Sequence, residues 1–130
     1  MKKRILLADA DESVRKMLGR VLASEGYEVA PARTAAEALT QALAGDPDLV
    51  LLDSDTSEPE GWANRLPSGV PVIALTGDPS QLEQAGRAHF AAFLEKPLDL
   101  AMLLKKIGEL LDRSEKQPAP RLEPASARTP

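Results

Sequence analysis

The sequence predicts an α/β protein: a doubly wound, five-stranded parallel sheet with helices on both faces. Short runs of branched aliphatic residues recur along the chain, each bounded by turn residues, as in strands buried on both sides. Between them lie segments with apolar residues at steps of three and four, the pattern of helices with one buried face. The two patterns alternate five times, and that alternation builds a parallel sheet flanked by helices.

The first strand is Arg4 to Ala8, leading into Asp9-Ala10-Asp11-Glu12-Ser13. Asp11 or Glu12 opens the next helix, since acidic groups suit its positive N-terminal end. Val14, Met17, Leu18, Val21 and Leu22 form its buried face, and Gly26 stops it. Tyr27 to Ala30 is the second strand, and Pro31 to Thr34 turns the chain. Thr34 and Glu37 have the spacing of a capping box before a helix through Ala35, Ala38, Leu39, Ala42 and Leu43, closed by Gly45-Asp46-Pro47. The third strand, Asp48 to Asp53, is followed by a polar loop, Ser54 to Glu60, and at best a turn or two of helix from Gly61 to Leu66. Val70 to Leu75 is the fourth strand, with Pro71 at its start, where a missing N–H is tolerable. A short helix over Ser80 to Ala88 leads to the fifth strand, Phe90 to Leu94. Leu98, Met102, Leu103, Ile107, Leu110 and Leu111 outline a final helix, with Asp99 and Arg113 placed to suit its dipole. One domain over residues 1–113 is expected, followed by a disordered tail over 114–130. Four of the eleven prolines fall in that tail, and Leu122 is its one large apolar residue. Such a segment buries too little surface to offset its ordering entropy.

Composition narrows the function. At 130 residues the chain fits one ordinary core, built from aliphatic residues because only 3% are aromatic. A net charge of −4 disfavours general nucleic-acid binding. The absence of cysteine removes thiol catalysis, thiolate metal sites and disulfides. The apolar run after Met1-Lys2-Lys3-Arg4 is too short for a secretory signal, and no window approaches a membrane span, so a cytoplasmic location is expected.

Four strands end in a chemically useful residue: Asp9, Asp53, Thr76 and Lys96. In a parallel sheet these ends share one edge, the edge where open α/β sheets bind ligands. Each has a plainer reading, as turn punctuation or a solvated surface lysine. Together they suit phosphoryl transfer to a carboxylate. Asp53 would be the nucleophile, a hard divalent cation on carboxylate oxygens would neutralise charge, and a lysine and a hydroxyl would do the rest.

These residues and their surroundings resemble the receiver domain of two-component response regulators, over about residues 4 to 113. The resemblance rests on Ile5-Leu6-Leu7-Ala8-Asp9, Pro47-Asp48-Leu49-Val50-Leu51-Leu52-Asp53, Pro71-Val72-Ile73-Ala74-Leu75-Thr76 and Phe93-Leu94-Glu95-Lys96-Pro97, in that order, with Pro59 and Gly61 in the loop after Asp53. It implies a flavodoxin-like strand order, 2-1-3-4-5. It also implies that Asp53 accepts phosphate from a histidine kinase or phosphotransfer protein. Asp9, Asp53 and the backbone carbonyl of Asp55 would hold Mg²⁺. Thr76 and Phe93 would be switch residues, and Lys96 would pair with the phosphate next to a cis bond to Pro97. The chain would be a phospho-acceptor rather than an enzyme, with self-phosphorylation and autodephosphorylation within its chemistry. Its expected partners are the kinase and an unidentified downstream protein, with neither nucleic acid nor membrane, as a monomer or weak dimer.

The departures are specific. Ala10 stands where the family has a second acidic residue that ligates the metal directly, so Mg²⁺ should bind weakly, and Asp11 one residue on should point elsewhere. Asp9 and Asp53 against Lys96 leave a formal −1, which lessens the need for a metal. The segment from Gly61 to Gly69 is short, Glu58 and Glu60 add charge, and His89 replaces a usual Gly. Trp62 is read as a packing residue.

The leading reading is a stand-alone receiver whose output is binding of another protein. A degenerate receiver, binding without phosphorylation, is the alternative that Ala10 favours. A third reading takes Asp53-Ser54-Asp55-Thr56 as the first motif of a haloacid-dehalogenase-like phosphohydrolase, with Asp55 as general acid–base. That motif comes late in the chain, and no acidic pair follows Lys96 in the right context. A dinucleotide-binding domain is excluded, because no Gly-rich turn follows the first strand.

Overall fold

The computed structural model describes residues 2–53, 65–67, 69–78 and 90–116, with side chains to 112. The expected helix over Ser80 to Ala88, most of Gly61 to Leu66, and the tail from 117 lie outside these residues.

Five parallel strands pair in the order β2-β1-β3-β4-β5. They are β1 (Arg4–Ala8), β2 (Glu28–Ala32), β3 (Leu49–Asp53), β4 (Val72–Thr76) and β5 (Ala92–Glu95). The order expected from the resemblance is the order found. β1, β3 and β4 are the central strands, and their apolar residues are buried on both faces. Leu6, Ala8, Val50, Leu52 and Val72 share one face with Ala35, Ala38, Leu39 and Ala42 of α2 (Ala35–Gly45). Ile5, Leu7, Leu49, Leu51, Ile73 and Leu75 alternate to the other face and are as fully buried.

Helix ends follow the sequence closely. Asp11 caps α1 (Glu12–Ser24), accepting the Ser13 and Val14 N–H groups at 2.8 and 3.3 Å. Gly26, at φ 93°, ends it in a Schellman arrangement, with Tyr27 N–H on Leu22 O and Gly26 N–H on Ala23 O. Thr34 caps α2 by accepting the Glu37 N–H. The Glu37 carboxylate reaches back to the Arg33 N–H, one residue before the cap, rather than closing the box on Thr34 itself.

Strand limits shift by a few residues. β2 does not stop at Ala30 but runs through Pro31 to Ala32. Glu28 donates to Lys3 O and Ala32 O accepts from Asp9, so both face β1. Pro31, next to Ala32, therefore faces outward on an edge strand, where its missing N–H costs nothing. Its carbonyl is taken by Gln41 Nε2 at 3.0 Å. β4 begins at Val72 and includes Thr76; β5 begins at Ala92 and includes Glu95.

The described residues from 100 on belong to a separate compact unit, taken by itself. Its helix α3 (Leu100–Lys116) buries Leu103, Ile107, Leu110 and Leu111, one face at helical spacing. It begins two residues after Leu98 and runs three past 113. The Arg113 side chain lies outside the described residues.

Candidate functional site

Asp53 is the last residue of β3 and is 3% exposed, because the strand is covered on both faces up to its end. β1 lies beside it with Ala8 opposite Leu52, so Asp9 leaves the sheet at the level of Asp53. Asp9 is completely buried. The turn that follows holds it: the Asp11 N–H donates to Asp9 Oδ1 at 2.8 Å, and Arg15 Nη1 donates to the Asp9 carbonyl at 2.7 Å. Its second oxygen, Oδ2, is buried without a hydrogen-bond partner among the described residues. From the other side, the Lys96 N–H bonds to Thr76 O at 2.7 Å, which ties the end of β5 to the end of β4. The Lys96 side chain then crosses to Asp53, with Nζ 2.9 Å from Oδ1. The Lys96–Pro97 bond is cis, as the resemblance implies.

Two carboxylates thus share one ammonium. Burial, above all, pushes Asp9 up from 3.8 to about 6, and the neighbouring Asp53 carboxylate adds to this; the Asp11 N–H and Lys96 oppose it. Asp53 can hydrogen-bond to Asp9 only if the two share a proton, since neither carboxylate otherwise has a donor.

The sheet therefore brings Asp9, Asp53 and Lys96 together. Thr76 is buried at the adjacent strand end, one residue beyond Leu75, which pairs with Asp53. Its hydroxyl accepts the Asp78 N–H at 3.0 Å and donates to the Asp78 carbonyl at 3.2 Å. Phe93, half-buried on β5, stacks edge-to-face on Phe90 at 5.3 Å. Asp55, Glu58, Glu60, Trp62 and His89 lie outside the described residues. Arg15 escaped the sequence reading. Its one signal is a cation placed one helical turn after Asp11, where it can reach back over the acidic turn.

The donor set fits a hard divalent cation in part. Asp9 Oδ2 is an unmet buried acceptor, and a Mg²⁺ site commonly uses only one or two carboxylates beside water. Asp9 and Asp53 can supply these. Ala10 offers none, and the Asp11 carboxylate is engaged in capping α1. Among the described residues no group of three acidic or imidazole side chains is set to hold a metal.

Comparison with known proteins agrees with this geometry. The family model for the response regulator receiver domain matches residues 5–108. The chain belongs to that family. Receivers of this kind serve two-component systems, and phosphorylation and Mg²⁺ are typical of them. Among relatives, the DNA-binding response regulator MtrA of Mycolicibacterium smegmatis is 33% identical over 125 residues, which is 92% of this chain and 55% of MtrA. The chain thus spans about half the length of that relative. Among solved structures, a CheY-like receiver domain protein from Methanospirillum hungatei superposes with a TM-score of 0.81 at 33% identity, over 90% of this chain and 99% of that one. Response regulator TrrA of Thermotoga maritima, solved in complex with Mg²⁺-BeF, gives 0.75 at 27% identity, over 83% of this chain and 98% of that one. Among the described residues no helix is long and apolar enough to cross a membrane.

Proposed function

We propose that this receiver accepts a phosphoryl group on Asp53 from a histidine kinase or phosphotransfer protein, and that its phosphoryl state biases binding to another protein. The observation that carries the reading is the Lys96–Asp53 pair beside the unmet oxygen of Asp9. An Asp53 carboxylate oxygen attacks phosphorus, the bond from phosphorus to the donor nitrogen breaks, and the donor imidazole leaves with the electron pair. Lys96 holds the attacking carboxylate and offsets charge on the phosphoryl oxygens. Asp9, Asp53 and the Asp55 carbonyl would hold Mg²⁺, which supplies further neutralisation of the transferring group. With Ala10 in place of a carboxylate, that binding is weak. Thr76 would have to leave Asp78 to reach a phosphoryl oxygen, which is how it would act as a switch with Phe93. The chain is a phospho-acceptor, not an enzyme with a free substrate, and water returns it to the carboxylate. The proposed output is binding of a downstream protein.

The test is intact-mass measurement after incubation with acetyl phosphate and Mg²⁺. A phosphoryl adduct that disappears in Asp53→Asn supports the reading. One observation favours a second reading, a degenerate receiver that binds without phosphorylation: Ala10 and the capping role of Asp11 leave two carboxylates where the family has three. No adduct at high donor and metal concentration would select it. The phosphohydrolase reading draws no support from the family match, and absence of p-nitrophenyl phosphate hydrolysis would close it.

A further inference from the structure

Asp9 is anchored through its N–H, its carbonyl and Oδ1. Its N–H donates to Ala32 O at 3.0 Å, across to β2. The Asp11 N–H donates to Oδ1 at 2.8 Å. Its carbonyl accepts from Arg15 Nη1 at 2.7 Å. Oδ2 is left without a partner among the described residues. The first two anchors join Asp9 to backbone groups and follow from the path of the chain. The third comes from a side chain, so it can be removed without rebuilding the turn.

Arg15 is well based for this task. Its own N–H bonds to Asp11 O at 3.0 Å, so it stands one turn past the cap and reaches back over it. Leu18 and Leu22, both fully buried, fix α1 on the sheet and give the guanidinium a firm base. A carbonyl where a strand ends has lost its ladder and needs another donor. Arg15 provides one and thereby holds the plane of the Asp9–Ala10 peptide. That plane sets both the direction of the Asp9 side chain and the place of the Asp11 N–H. If it turns, the Asp11 N–H leaves Oδ1, and Oδ2 swings from its position at the site. The turn has no spare carboxylate to absorb such a shift. Ala10 carries none, and the Asp11 carboxylate is engaged in capping α1. We propose that Arg15 is a positioning residue: its bond to the Asp9 carbonyl aims the Asp9 carboxylate and so sets the affinity of the site for Mg²⁺. The proposal rests on the reading of Asp9 as a Mg²⁺ ligand given above. Arg15 acts through Asp9 and needs no contact with the metal or the phosphoryl group.

The test compares the full-length parent with Arg15→Met and with Lys16→Met. Both variants lose one positive charge from a side chain that is not buried, so both should fold. Lys16 pairs with Glu12 at the surface, which makes it the control for charge alone. Without metal, amide exchange at Asp11, read by NMR, is severalfold faster in Arg15→Met and unchanged in Lys16→Met. In a Mg²⁺ titration at constant ionic strength, followed by amide shifts, Arg15→Met binds about tenfold more weakly, the usual cost of losing a partner that orients a ligand. Lys16→Met binds as the parent does. With acetyl phosphate, Arg15→Met needs correspondingly more Mg²⁺ to reach half its maximal rate of phosphorylation, and its plateau rate is retained. Failure of the parent to take up phosphate would sink the phosphorylation reading while leaving the first two measurements to decide on Arg15. Unchanged Asp11 exchange or unchanged Mg²⁺ affinity in Arg15→Met, an equal loss in Lys16→Met, or a parent that binds no Mg²⁺ would overturn the proposal.

Discussion

At the amino end of the sheet, Arg4 satisfies three neighbours. Its N–H meets Asp48 Oδ2 at 2.7 Å, its Nε meets Glu28 at 2.8 Å, and its Nη1 bonds to the Gly45 carbonyl. At the carboxyl end, Asp9 and Asp53 are buried together beside Lys96, and an Asp9 oxygen has no donor among the described residues. The first end is half-exposed and its arginine is paired; the second is buried and leaves one Asp9 oxygen unmet. A chain selected for stability alone would not hide the less satisfied set. Polar groups that break the rule of satisfaction mark places where something else binds, and here that is the edge where parallel sheets place their ligands.

The largest way to sharpen this contrast is Lys96→Met. It leaves a 5%-exposed Asp53 carboxylate beside Asp9 without its cation. We expect a loss of about 3 kcal/mol in urea unfolding at pH 7.5, because removing one partner of a buried pair strands the other charge. Asp9→Asn should act oppositely. Asp9 titrates near 6 in the fold against 3.8 in the unfolded chain. Its protonated form therefore favours the fold, fully below pH 3.8, and that contribution is lost as pH rises through 6. An asparagine keeps the acceptor for the Asp11 N–H without the charge. The variant should gain roughly 2 kcal/mol over the parent at pH 7.5, with the gap closing below pH 4. At the amino end, Arg4→Met should cost only about 1 kcal/mol and leave phosphorylation intact, since it removes one side-chain bond to a carbonyl and one half-exposed ion pair. Glu28→Gln, which removes that ion pair alone, should cost less than about 0.5 kcal/mol. Equal costs at the two ends would break the comparison.

The carboxyl edge was legible in the sequence because four of the five short apolar runs stop at a polar residue, and parallel pairing then aligns those stops. Asp53, Asp9 and Lys96 could be named that way. Their distances could not, nor could the orphaned oxygen, which depends on the Asp11 N–H taking one side of Asp9 and leaving the other. The capping of α1 by Asp11 was visible as one of two choices. The Arg4 brace was invisible, because it joins Gly45, Glu28 and Asp48 across three elements with no local spacing rule. The end of β2 was misplaced for a similar reason. Pro31 reads as a turn until the strand is known to lie on the edge with that residue facing out.

The most direct measurement is the melting temperature as a function of Mg²⁺ for the parent, Asp9→Asn and Asp53→Asn. If the carboxyl edge is built around an unmet demand for a cation, the parent rises with Mg²⁺, saturating only in the millimolar range, and both variants stay flat. A parent that ignores Mg²⁺, or variants that rise alongside it, would contradict the account.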